Sequence, residues 1–149
     1  MTIWTIQPTP EQLNLRGTQT MVSHLGIEFT EVGEDYLKAR MPVDGRTIQP
    51  FGLLHGGAST ALAESMGSVA ASLTLDLTRK IPVGMEINAN HLRPVQAGSD
   101  EEPRYVYGVT RPIHIGSTTQ VWDIRITDDQ DRLVCISRLT LAVVARPSQ

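Results

Sequence analysis

The sequence predicts an α+β protein in which one antiparallel sheet packs on a single long helix, and three observations point there. Residues 54–75 hold one acidic group, Glu64, and no Lys or Arg, over a length that suits one helix. Four later stretches, at 80–94, 104–112, 117–127 and 132–144, read as strands. Short connections join most of them, which favours antiparallel over parallel pairing.

The elements follow in chain order. TPEQLNL near the start predicts a short helix, with Thr9 as its cap and Pro10 as its first residue. Residues 25–43 read as two strands joined by a turn at Gly33, Glu34 and Asp35. DGRTIQPFGL (44–53) is a loop, and the long helix runs from about 54 to 76. In the 117–127 stretch Trp122, Ile124 and Ile126 alternate with Asp123, Arg125 and Thr127, the period of a half-buried strand. Its hairpin partner follows a turn at 128–131 and is apolar on both faces, as a central strand is. QAGSDEEPR (96–104) is acidic and turn-rich, an exposed loop.

With 149 residues and 40% hydrophobic content, the chain fits one domain over 1–149, with an N-terminal extension at 1–20 and a flexible tail at 145–149. A net charge of -3 and the absence of basic runs argue against nucleic acid or an anionic membrane surface as partner. One cysteine, Cys135, rules out an internal disulfide framework. The opening residues lack the basic-then-apolar pattern of a secretory signal, so a cytoplasmic location is expected. Residues 54–75 are long enough to span a membrane, but Gly56, Gly57 and Gly67 dilute their hydrophobicity. A mid-span acidic residue would cost about 2.5–3.5 kcal/mol on insertion scales.

On a wheel of about 100° per residue, Ala58, Leu62, Met66, Val69 and Leu73 form one stripe, expected to lie on the sheet. The opposite side carries Gly57, Thr60, Glu64, Ser68 and Ala71. A solvated face usually holds several long charged residues, whereas small ones let another backbone come close. Two readings of Glu64 stand: the lone charge of an ordinary amphipathic helix, or a group placed for chemistry. His55-Gly56-Gly57 at the helix start would offer free N–H groups at the positive end of the helix dipole, where a carbonyl oxygen gaining negative charge is stabilised.

Spacing then separates the two groups. Glu64 lies eight residues beyond Gly56, about 12 Å along the axis at 1.5 Å per residue. Both must come within about 3 Å of one carbonyl to act on it together. One helix cannot supply both. Two antiparallel copies crossing near Thr60 would bring each Glu64 level with the other copy's Gly56 and Gly57, and would explain the small-residue face. Other chemistries are absent: the sequence has no GxSxG elbow, phosphate loop, GxGxxG, HExxH or CxxC. The histidines at 24, 55, 91 and 114 are too scattered for a metal cluster, so no metal or cofactor is expected.

QPFGLLHGGAS-x3-AES-x-GS resembles the hotdog-fold acyl-CoA thioesterases, in their 4-hydroxybenzoyl-CoA thioesterase branch. The likeness extends to MPVDGRTIQPFG (41–52), EINANHLRPV (86–95), PIHIGSTTQVW (112–122) and SRLT near the end. The resemblance implies a hotdog fold, one central helix wrapped by an antiparallel sheet of about six strands, in homodimers that pair into homotetramers. It implies hydrolysis of an aroyl or short-acyl coenzyme A thioester, with Glu64 as nucleophile or general base, the Gly56 amide polarising the carbonyl, and Gln49, His55 and Ser68 positioning thioester or water. It also suggests that Gly116, Ser117 and Thr118 meet the pantetheine and phosphates, with His91, Arg93 and Arg138 as candidate nucleotide contacts. Phe51, Leu54, Met66 and Val69 are candidates for lining an aryl pocket. Three further readings remain: a proofreading thioesterase acting on an acyl or aryl carrier protein, a hotdog dehydratase or hydratase, and a non-catalytic acyl-CoA binding protein. The acidic 96–104 segment departs from the short basic connection expected in such relatives.

Overall fold

The computed structural model describes residues 1–147. Two short helices open the chain, α1 (Pro10–Arg16) and α2 (Met21–His24). In α1 the Thr9 hydroxyl accepts the Gln12 N–H while the Gln12 side chain accepts the Thr9 N–H, the reciprocal cap that Thr9-Pro10 suggested. The second helix was not foreseen, because four residues are too few to show a period. Strands β1 (Glu28–Val32) and β2 (Leu37–Pro42) precede the central helix α3 (Gly56–Leu73), and β3 (Lys80–His91), β4 (Tyr105–Ile115), β5 (Thr119–Thr127) and β6 (Leu133–Ala145) follow it.

The six strands form one antiparallel sheet in the order β1-β2-β4-β5-β6-β3. β6 has neighbours on both sides, as its two apolar faces suggested. β3 pairs only with β6 and forms an edge twelve residues long, with Val83 and Met85 exposed. A long edge carrying exposed apolar side chains invites pairing with another strand.

The helix is two residues shorter at its start and three at its end than the sequence suggested, because His55 and Thr74 act as caps. Its buried arc is also wider. Ala58, Leu62, Met66 and Leu73 are buried as expected, but Ala71, placed on the open face, has no exposure, and Val69 is only half-buried. The sheet curls around the helix, so strands β2 to β6 all touch it and cover more than one stripe. Glycine permits this closeness at two crossings. A Cβ on Gly67 would sit 2.6 Å from a Leu139 methyl, and one on Gly108 of β4 would overlap the Met66 sulfur.

The end of α3 is fixed by polar contacts. Buried Gln120 donates from Nε2 to Thr74 Oγ1 at 2.8 Å and accepts from Trp122 Nε1 at 3.0 Å. Trp4 stacks on Trp122 with ring centroids 6.1 Å apart and donates to the Gly33 carbonyl, tying the N-terminal segment to the core. At the other terminus, β6 runs to Ala145, and the Arg146 N–H donates to the Arg79 carbonyl at 2.8 Å. Residues 148 and 149 of the expected tail lie outside the described residues.

The Gly108–Met66 contact yields a stability test. Gly108→Val is expected to cost about 1–3 kcal/mol by overpacking, read as a lower urea midpoint with an unchanged slope.

Candidate active site

The site begins at the start of α3. His55 has extended backbone angles, φ -72° and ψ 131°, and its Nδ1 accepts the Gly57 N–H at 2.8 Å. Accepting there requires Nδ1 to be bare, so the neutral ring carries its proton on Nε2. The cap corrects the expectation that both glycine amides are free. Only the Gly56 N–H is left without a partner among the described residues. It points from the positive end of an 18-residue helix, a fit for developing negative charge.

Glycine at 56 leaves room for a side chain of the edge strand. A Cβ there would sit 2.8 Å from His91 Nε2, so a larger residue would push the imidazole away from the helix start. Around them lies a pocket of about 370 Å³, lined by Gln49, Leu53, Leu54, Gly56, Ser59, His91, Leu92, Arg93, Pro94 and Val134. Five residues proposed from the sequence, Gln49, Leu54, Gly56, His91 and Arg93, thus share one cavity of ordinary ligand size. Gln49 is held by a tight loop in which its side-chain oxygen accepts the Phe51 N–H and its carbonyl accepts from Gly52. Gly52 adopts φ +77°, a left-handed conformation that disfavours a side chain.

Glu64 sits elsewhere on the same helix. It is half-buried and accepts a 3.4 Å bond from Ser68 Oγ, one turn on. It forms no ion pair among the described residues. Its carboxylate rests over Gly84 of β3, where a Cβ would come within 2.6 Å of Oε1. Glu64 therefore leans on the edge strand and does not point directly away from the sheet.

The remaining candidates divide. Met66 is wholly buried over Gly108, so it is a core residue and not a pocket wall. Phe51 stands at the tip of its loop, 88% exposed, outside the pocket. Gly116, Ser117 and Thr118 turn from β4 into β5 beside Lys80, whose Nζ lies 3.5 Å from the Ser117 carbonyl. Lys80 and His91 end the same strand, roughly 36 Å apart at 3.3 Å per residue. Within one chain that loop is thus remote from the pocket. Arg138 lies between Asn88 and Asp123 on the sheet face away from α3, since its neighbours Ser137 and Leu139 are buried beneath the helix. Sequence reasoning missed Ser59, Leu92, Pro94 and Val134, which meet at the pocket from three separate segments.

Residues 51–135 match the family described as the thioesterase superfamily. The chain belongs to that superfamily. It is 52% identical over 142 residues to 1,4-dihydroxy-2-naphthoyl-CoA hydrolase of Escherichia coli, covering 95% of this chain and 99% of the relative. The proofreading thioesterase EntH of Cronobacter turicensis is 51% identical over 144 residues, 95% of this chain and 98% of the relative. A crystal structure of mutant thioesterase PA1618 from Pseudomonas aeruginosa superposes with a TM-score of 0.91 at 48% identity, covering 97% of this chain and 100% of that one. The fold is the hotdog fold and the chain is a thioesterase, as the motif around Glu64 implied.

The Gly84 contact isolates the carboxylate's position. Because the clash falls on the mobile end of Glu64, Gly84→Ala should leave the melting temperature nearly unchanged. It should lower kcat about 10- to 100-fold through misplacement of Glu64, measured by thiol release.

Proposed function

We propose that this thioesterase hydrolyses aroyl and short-acyl thioesters of coenzyme A, with residues 1–149 working as one catalytic domain. The observation that carries the reading is the unpartnered Gly56 N–H at the head of α3, with one carboxylate, Glu64, on the same otherwise uncharged helix. A thioester carbonyl placed on the Gly56 N–H becomes more electrophilic, and the amide holds the oxyanion as the tetrahedral intermediate forms. Glu64 then serves in one of two ways. It takes a proton from water, which attacks the carbonyl carbon, or it attacks that carbon itself to give an anhydride that water opens. In both, the C–S bond breaks, the sulfur leaves as a thiolate and is protonated, and the acid is released. Ser68 steadies the carboxylate through its bond to Oε1, Gln49 at the pocket orients thioester or water, and the Nε2–H of His55 does the same from the helix cap.

Both groups can reach one carbonyl only if two chains contribute. Glu64 rests on Gly84, and Gly56 rests on His91. A twofold that sets Glu64 level with the partner's Gly56 also sets Gly84 opposite the partner's His91, centring the β3 edges on Ile87 and Asn88. The helix and the strand thus support one axis. The same axis carries the Lys80 end of β3, with the Gly116–Thr118 turn, toward the partner's Arg93, closing the distance that separates them within a chain. Val83 and Met85 on the free edge are covered in such a dimer, and pairing of dimers gives the tetramer.

His91 and Arg93 at the pocket serve as contacts for the coenzyme A arm, with Arg138 at the outer sheet face nearby in sequence register. A carrier-protein thioester presents the same phosphopantetheine arm, and resemblance to a proofreading thioesterase favours this as a second substrate form. A hotdog dehydratase needs a free histidine base, whereas His55 Nδ1 is engaged by Gly57. We place the enzyme in the cytoplasm, where its free, buried Cys135 stays reduced. No helix among the described residues is long and apolar enough to cross a membrane.

Glu64→Gln keeps size and removes both base and nucleophile, so kcat should fall at least about 10²-fold with assembly intact. Near-normal turnover would refute the assignment. Hydrolysis in ¹⁸O water under single turnover separates the two routes, since only the anhydride route that reopens at Glu64 leaves label there. Thr60→Arg, at the proposed crossing, is expected to give an inactive monomer by light scattering. An active monomer would refute the two-chain site, and an intact, active dimer would refute the crossing at Thr60.

A further inference from the structure

Among the described residues six polar side chains are buried: Thr47, Ser59, Thr110, Gln120, Asp128 and Ser137. Five are paired. Thr47 donates to the Pro42 carbonyl, Thr110 to the Asp123 carbonyl, Gln120 bonds Thr74 and Trp122, Asp128 accepts from Arg132, and Ser137 meets Cys135. Ser59 alone has a hydroxyl with no partner among the described residues, although the residue is only 1% exposed. No polar side-chain atom sealed from solvent is left unpaired, so that slight exposure belongs to the Ser59 oxygen, and it opens into the pocket beside Gly56. Thr60 and Ser65 on the same helix bond back to the carbonyls four residues earlier, whereas Ser59 does not. Its hydroxyl is left for whatever enters the cavity.

Position narrows what that is. Ser59 lies three residues beyond Gly56, about 4.5 Å along the axis, and helical side chains lean toward the N-terminus, here toward Gly56. The apolar walls of the cavity are Leu53, Leu54, Leu92, Pro94 and Val134. A carbonyl held by the Gly56 N–H therefore has apolar walls for an acyl group on one hand, the polar Gln49, His91 and Arg93 on the other, and one buried, unpaired hydroxyl, that of Ser59, close to the reacting centre. On an aromatic acyl group, the substituent that stays close to the carbonyl is the ortho one. An ortho-hydroxyl donates internally to the thioester oxygen and keeps lone pairs free to accept from Ser59, while a para-hydroxyl lies across the ring.

We propose that Ser59 is a specificity-determining residue whose hydroxyl donates to an ortho-hydroxyl of an aroyl group seated in the Gly56 pocket. This rests on the thioesterase site described above and assigns its acyl side. Removing one neutral hydrogen bond weakens recognition by about 2- to 10-fold. That loss must be confined to the substrate bearing the partner group.

The experiment compares kcat/KM of the wild type and Ser59→Ala on benzoyl-, 2-hydroxybenzoyl- and 4-hydroxybenzoyl-CoA. The expected result is a loss of about 5- to 10-fold on the 2-hydroxy substrate, with the other two within about twofold. Their retained turnover also shows that the variant is folded and assembled. Equal losses on all three would overturn the proposal, giving Ser59 a role in packing, in hydrolysis or in holding the common coenzyme A arm. No loss on any would overturn it as well, leaving the hydroxyl to water. A wild-type enzyme that hydrolyses none of the three would refute the proposed function, and the inference with it, whereas unselective losses in an active enzyme refute the inference alone.

Discussion

A straight helix fixes the distance between residues on it, and the eight residues from Gly56 to Glu64 fix about 12 Å. Neither the amide nor the carboxylate can move along the axis without breaking helical hydrogen bonds. A carbonyl that needs both must receive them from two helices. The small residues between them, the unpaired edge of β3 and the remoteness of the 116–118 turn from the pocket all fit that one requirement. If the carboxylate and the amide had been closer, a single chain could have carried the site, and the exposed edge would be only an aggregation risk.

Close packing around α3 serves the same end. Gly67 and Gly108 let the sheet approach the helix until a single added carbon would overlap Leu139 or Met66. Gly56 and Gly84 do the corresponding work at the site, one giving room to the His91 ring and the other to the Glu64 carboxylate. The first pair sets how tightly the sheet wraps, and the second sets where the His91 ring and the Glu64 carboxylate rest. Substitutions in the first pair should therefore register in stability, and those in the second in turnover.

The parts of the fold legible in the sequence were those with a period or a punctuation mark. Trp122, Ile124 and Ile126 showed β5, Thr9-Pro10 showed α1, and the uncharged run around Glu64 showed α3. The wheel failed at Ala71 and Val69 because it assumes one contact stripe, while a curled sheet covers a helix on several sides. Gly56 and Gln49, which line the pocket, sit with Glu64 in one continuous motif, which is what drew attention to all three. Ser59 lies in the same motif and was passed over, since a serine among alanines gives no sign of whether its hydroxyl is paired. Leu92 and Val134 come from segments distant in sequence, and only the β3–β6 pairing brings them together.

The acidic 96–104 segment poses an electrostatic question that its anchoring answers. Asp100, Glu101 and Glu102 would oppose a polyphosphate if they faced the pocket. The loop instead folds back toward β2 and β4: Gly98 N–H donates to the Val43 carbonyl, Val43 N–H to the Arg104 carbonyl, and Ser99 N–H to the Glu102 carbonyl. Gly98, Ser99 and Asp100 line a separate cavity with Pro42, Asp44 and Arg46, and none of the loop's three carboxylates lines the Gly56 pocket. Exposed charges separated by more than about 8 Å are largely screened at physiological ionic strength. Local cations such as Arg93 at the pocket and Lys80 beside the 116–118 turn can thus set the field that a phosphate meets, even on a chain with net charge -3. The loop's acidity is compatible with an anionic substrate because the backbone, and not the charge itself, decides where those carboxylates sit.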